Sequence, residues 1–96
     1  MRLLIIEDEQ ALADMVAQHL RTAGYEIDVC YDGDSGLEAA TTESYDLIIL
    51  DLNLPKMDGM ELLKELRHRL PAGMMPNRVE LTDHIGLTAS GKVSRP

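Results

Sequence analysis

Leu3 to Ile6 is an unbroken apolar run with β-branched members, the pattern of a strand buried on both faces of a parallel sheet, and it stops at the acids Glu7, Asp8 and Glu9. From Glu9 to Ala23 the apolar positions Leu12, Val16 and Leu20, with Ala13, Ala17 and Ala23 beside them, recur at helical spacing, and Gly24 stands where a helix stop belongs. Tyr25 to Tyr31 alternates Ile27, Val29 and Tyr31 against Glu26, Asp28 and Cys30, which predicts a half-buried strand followed by a turn at Asp32-Gly33. Asp34 or Ser35 then caps a second helix, which turns Leu37, Ala40 and Thr41 inward and ends before Tyr45. Asp46 to Leu50 reads as another buried strand. Asp58-Gly59 opens a third helix with Met60, Leu62, Leu63 and Leu66 inward and Glu61, Lys64, Glu65 and Arg67 outward.

Strand and helix alternate three times, which implies parallel β-α-β units with right-handed crossovers and helices on both faces of the sheet. After Arg67 the pattern changes: Pro71, Gly73, Pro76, Gly86 and Gly91 punctuate short apolar pieces, Val79 to Leu81 and Ile85 to Leu87, readable as two brief strands joined by a turn. No fourth helix is legible there. The 96 residues leave room for one core, built without Phe or Trp. The expected division is 1–67 and 68–96.

Charge follows the same division. Residues 1–67 carry 15 acids against 5 bases, and residues 68–96 carry 2 against 4, for a net of −8. An acidic surface argues against direct nucleic-acid or anionic-membrane binding, which need clustered cations. The single Cys30 suits a reduced compartment and reads as core. No apolar stretch is long enough for a leader or a span, so a cytoplasmic protein is expected.

The chemistry sits where strands end. Ligands of open α/β sheets bind beyond the carboxyl ends of the strands, and there Ile6 leads into Glu7-Asp8 while Leu50 leads into Asp51. Three converging carboxylates repel unless a hard cation offsets them, and Mg²⁺ suits a site that handles phosphate. In that setting Asp51 is the nucleophile that attacks phosphorus and becomes an aspartyl phosphate. A lone acid at a strand end is more often a cap or a solvated loop residue; the joint arrangement singles these three out. His19, His68 and His84 have no metal-ligand spacing.

RLLIIEDE, GYEIDVCYDGDSGLEAA and YDLIILDLNLPKMDGMELLKELR together resemble the receiver domain of winged-helix response regulators across residues 1–67. The resemblance assigns the acidic pair to Glu7 and Asp8, the phospho-acceptor to Asp51 and the metal-binding backbone carbonyl to Asn53, with Pro55, Lys56, Met57, Asp58 and Gly59 matching the turn beyond. It implies a flavodoxin-like, doubly wound sheet of order 2-1-3-4-5, of which this chain supplies the first three β-α units, truncated and followed by a short irregular or hairpin tail. It also implies a histidine kinase as phosphoryl donor, and a phospho-acceptor rather than an enzyme. The family's fourth strand ends in a hydroxyl and its fifth in a lysine. Thr82 or Thr88 can be placed as that hydroxyl, but both come late in the chain, and no helix or Lys-Pro step follows them.

The tail LPAGMMPNRVELTDHIGLTASGKVSRP is similar to the C-terminal segment of adenylate-forming enzymes, at Leu70, Pro71, Met74, Pro76, Leu87, Thr88, Ser90, Gly91, Lys92 and Arg95. Gly73 and Gly86 depart from that pattern. The large nucleotide-binding domain such chemistry needs has no counterpart in this length, so Lys92 reads as a solvated turn lysine and the chain as a fusion.

Ending a doubly wound sheet at its third strand leaves Leu47 to Leu50 with an open edge, which Val79 to Leu81 or a second copy of the chain could pair, giving a homodimer. Two functions compete: a signalling receiver, and an interaction or structural fragment that keeps the acidic site without phosphorylation-driven output.

Overall fold

The computed structural model describes residues 1–51, 54, 58–71, 73, 75, 76 and 78–82. Seven elements alternate along the chain: β1 (Arg2–Ile6), α1 (Gln10–Thr22), β2 (Glu26–Cys30), α2 (Gly33–Thr42), β3 (Leu47–Asp51), α3 (Gly59–Arg69) and β4 (Arg78–Thr82). The strands form one parallel sheet of order β2-β1-β3-β4, the first four positions of the doubly wound order expected. β1 and β3 lie inside it, which is why their sequences are apolar on both faces.

Alternate side chains of the strands feed two separate cores. Leu4, Ile6, Ile48 and Leu50 pack with Leu37 and Ala40 of α2 and with Leu62, Leu63 and Leu66 of α3. On the opposite face Leu3, Ile5 and Ile27 meet Ala13, Val16 and Ala17 of α1. The crossover helices therefore lie on both sides, two on one face and one on the other.

Local signals set the helix ends. Gly24, at φ +104°, follows α1 in the left-handed region that glycine enters without steric cost. The Asp58 carboxylate accepts from the Glu61 N–H at 2.8 Å and caps α3 as expected. The cap of α2 is Asp32, whose side chain accepts from the Ser35 N–H at 2.7 Å, and not Asp34 or Ser35. With the helix starting at Gly33, Thr41 turns outward and the buried positions become Gly33, Gly36, Leu37 and Ala40. Met60 is another correction: it lies in the first turn of α3 and is 57% exposed.

The structure also corrects the view of the tail. Arg78–Thr82 is a regular strand of the main sheet, parallel to β3, with Val79 and Leu81 packed against the α2/α3 core. α3 continues through Arg69, and Leu70 is buried in the same core. The outer edge of the described sheet is consequently β4 and not β3. Asn53, Pro55, Lys56, Met57, Met74, His84, Ile85 to Leu87, Thr88, Ser90, Gly91, Lys92 and Arg95 lie outside the described residues. Among the described residues, no helix is long and apolar enough to cross a membrane.

Candidate phosphoryl-acceptor site

Two central strands deliver the site. β1 ends at Ile6, and the Glu7 N–H donates to the Cys30 carbonyl at 3.0 Å, carrying the β1–β2 pairing one residue past the strand. The next residues turn into α1, and the Glu9 N–H donates to Glu7 Oε2 at 3.0 Å, so the Glu7 carboxylate is drawn to the positive N-terminal end of that helix. β3 ends one residue later than its neighbour, at Asp51. Since Leu50 registers with Ile6, Asp51 stands beside Glu7.

Carboxylate oxygens of Glu7, Asp8 and Asp51 lie within 4.8 Å of one another. Glu7 is 0% and Asp51 1% exposed, whereas solvent reaches Asp8. Two ionised carboxylates at that separation repel by roughly 3.5 kcal/mol at an effective dielectric of about 20, an energy that a cation or a proton has to offset. The donor set is all oxygen and all anionic, and it opens to water at Asp8. That chemistry fits Mg²⁺, which takes a few carboxylates and keeps several waters.

On the other side of Asp51 stands Thr82, its register partner at the end of β4. A carboxylate flanked by two acids on one side and a hydroxyl on the other, at the carboxyl edge of a parallel sheet, is an arrangement suited to binding a phosphoryl group. The model of the response regulator receiver domain family matches residues 3–90. The chain belongs to that family. It is 46% identical over 67 residues to the transcriptional regulatory protein DltR of Streptococcus agalactiae, covering 70% of this chain and 30% of DltR. Similarity to the transcriptional regulatory protein CutR of Streptomyces coelicolor extends over 94 residues at 43% identity, 98% of this chain and 39% of CutR. Among solved structures, the CheY-like receiver domain from Methylobacillus flagellatus superposes with a TM-score of 0.75 at 36% identity, over 83% of this chain and 67% of that one. The chain thus spans about a third of the length of these two curated regulators.

Within this receiver, the fold brings Glu7, Asp8 and Asp51 together, as the strand ends imply, and adds Thr82 beside them. Thr82, late in the chain, stands beside Asp51 because β4 pairs parallel to β3 in that register. The hydrogen bond that fixes Glu7 comes from the Glu9 backbone, which no side-chain motif announces. Cys30 is half-buried next to the site, and burial, with acids nearby, raises its thiol above the ordinary value, which leaves it a poor nucleophile.

Proposed function

We infer that this receiver accepts a phosphoryl group from a histidine kinase on Asp51, as the input step of two-component signalling. The observation that carries the reading is the convergence of the Glu7, Asp8 and Asp51 carboxylates to within 4.8 Å, with Asp51 the residue that also faces Thr82. An Asp51 oxygen attacks phosphorus; the bond from phosphorus to the kinase imidazole nitrogen breaks, and that nitrogen keeps the electron pair. Glu7, Asp8 and Asp51, with the Asn53 carbonyl that the resemblance assigns, would hold Mg²⁺, which supplies charge neutralisation at the phosphoryl oxygens. Thr82, the register partner of Asp51, would donate to a phosphoryl oxygen, so that phosphorylation pulls the end of β4 toward β3.

The reading includes a receiver of the winged-helix regulator type working in the cytoplasm, a phospho-acceptor rather than an enzyme; the similarity to two proteins named as transcriptional regulators supports a regulatory context. A boundary of ancestry after Arg67, with residues 68–96 akin to adenylate-forming enzymes, belongs to the same reading. The similarity to DltR ends after 67 residues, whereas the receiver family model runs to residue 90 and similarity to CutR extends over 94 residues, both across that boundary. Self-association through an exposed sheet edge is also part of it, although the β3 edge from which it was expected is paired with β4.

The test is transfer of labelled phosphate from acetyl phosphate or a promiscuous histidine kinase, with Asp51→Ala alongside. Label that needs Mg²⁺ and is absent from the variant is expected. A folded protein that takes no label would overturn the reading in favour of an interaction fragment that merely retains the acids.

A further inference from the structure

Glu7 is held from two directions. Its N–H donates to the Cys30 carbonyl at the end of β2, at 3.0 Å, and its carboxylate accepts from the Glu9 N–H at the start of α1, also at 3.0 Å. The main chain of this buried acid therefore follows β2, whereas its side chain follows α1. A shift of α1 against the end of β2 would turn the Glu7 carboxylate relative to Asp51.

A side-chain hydrogen bond spans those same two elements. Tyr31, the residue after β2, donates its hydroxyl to Asp14 Oδ1 of α1 at 2.6 Å, and its ring packs, partly buried, against the core under that helix. A ring of contacts closes in this way: Glu7 to Cys30 through the main chain, Tyr31 to Asp14 through side chains, the first turns of α1 back to Glu9, and Glu9 to the Glu7 carboxylate. A short bond from a hydroxyl to an ionised carboxylate is among the stronger neutral-to-charged kinds. At the far end of the same helix Arg21 donates to the Ile27 carbonyl at 2.8 Å, about 10 Å further along the axis than Asp14. That second tie also secures α1 to β2, but it lies away from the acids and outside the ring around Glu7.

We propose that Tyr31 and Asp14 are positioning residues for the acidic site: their hydrogen bond fixes the start of α1 against the end of β2 and thereby sets the Glu7 carboxylate for Mg²⁺. The assignment rests on the reading of Glu7, Asp8 and Asp51 as a Mg²⁺ site, and it extends that site to two residues that touch neither the cation nor the phosphoryl group.

Calorimetric titration of the full chain with Mg²⁺, beside urea denaturation in chelator, separates positioning from stability. Tyr31→Phe keeps the ring and changes no charge. It is expected to weaken Mg²⁺ binding about fivefold, short of the roughly ten- to hundredfold loss for a group bonded directly to a metal ligand. Arg21→Met cuts the far tie and should lower stability in urea while leaving the Mg²⁺ dissociation constant in place, at a salt concentration that screens the lost charge. Asp14→Asn retains an acceptor oxygen and should bind Mg²⁺ better than Asp14→Ala, which has the same charge. Once Asp14 is alanine, Tyr31→Phe should cost nothing more. A Tyr31→Phe dissociation constant equal to that of the wild type, or a loss that Arg21→Met reproduces, overturns the positioning role and leaves the Mg²⁺ site standing. A wild type that takes up no Mg²⁺ overturns the site and the positioning role together.

Discussion

Thr82 closes β4 directly across from Asp51 at the end of β3, in the register that also sets Leu81 against Leu50. A threonine hydroxyl and a buried carboxylate thus share the edge at which a phosphoryl group would be held. Thr82→Ala is expected to keep the fold, because the position is partly exposed and at a strand end, but to weaken binding of beryllofluoride with Mg²⁺ about tenfold through loss of one hydrogen bond to a charged acceptor. Thr82→Ser should restore it. Thermal stabilisation titrated against beryllofluoride reads the effect, and an alanine variant that binds as the wild type does would remove Thr82 from the site.

Glu7 and Asp51 are packed side by side with almost no access to water. Their repulsion destabilises the metal-free fold, so Asp51→Asn should raise the melting temperature in chelator while abolishing the stabilisation that Mg²⁺ gives the wild type. At a Mg²⁺ concentration ten times the dissociation constant that stabilisation should be about 1.4 kcal/mol. Calorimetry with Mg²⁺, and with sodium at matched ionic strength, separates ion binding from screening. If both proteins respond equally to Mg²⁺, the cation is held elsewhere.

Most of the fold up to Arg67 is legible in the sequence because it is written in local signals. Leu3 to Ile6 and Leu47 to Leu50 are apolar on both faces as only interior parallel strands are, and Gly24 and Asp58 mark helix ends by their own chemistry. The acidic site is equally visible, since parallel topology carries both strand ends to one edge. β4 is obscure for a physical reason. Arg78 and Glu80 break its apolar run because it packs one face on α3 and leaves the other largely in water, and its pairing with β3 is a long-range contact that no neighbouring residue encodes. Asp32 was hidden as a cap because Asp32-Gly33 also reads as a turn.

Gly36 lets α2 approach the sheet. A Cβ there would lie 2.4 Å from Ile6 Cδ1, and Ile6 is itself fully buried beneath the helix. Gly36→Ala gains helix propensity of up to about 1 kcal/mol, but forcing Ile6 out of its rotamer or lifting α2 costs about 1 to 3 kcal/mol. The overpacking should win, giving a net loss in urea denaturation, and Gly36→Ala combined with Ile6→Val should recover part of it. A single variant as stable as the wild type would show that α2 has slack against β1.

Tyr45 and Asp28 form the corresponding device at the other end of the sheet. The buried Tyr45 hydroxyl donates to Asp28 Oδ2 at 2.7 Å, and the Arg2 guanidinium bonds the same oxygen at 3.0 Å while reaching Glu43 Oε1 at 3.0 Å. Burial, and then the bond to Asp28, push the Tyr45 phenol well above its ordinary value; the bond from Tyr45, and then Arg2, hold the Asp28 carboxyl below its own. The two shifts act at opposite ends of the pH scale. The folded state favours the protonated phenol, so its contribution is whole below about pH 10, the ordinary phenol value, and is lost as pH rises beyond it. It favours the ionised Asp28, so that contribution is present above about pH 4 and is lost as pH falls through the depressed folded value. Asp28 is close to half exposed, which keeps the acid limb shallow. Tyr45→Phe should therefore cost about 1 kcal/mol at neutral pH through the lost hydrogen bond and flatten the alkaline fall. Asp28→Asn should flatten the acid limb and leave Tyr45 to titrate closer to its ordinary value. Urea denaturation at closely spaced pH values gives both slopes. An alkaline fall unchanged in Tyr45→Phe would assign it to another group.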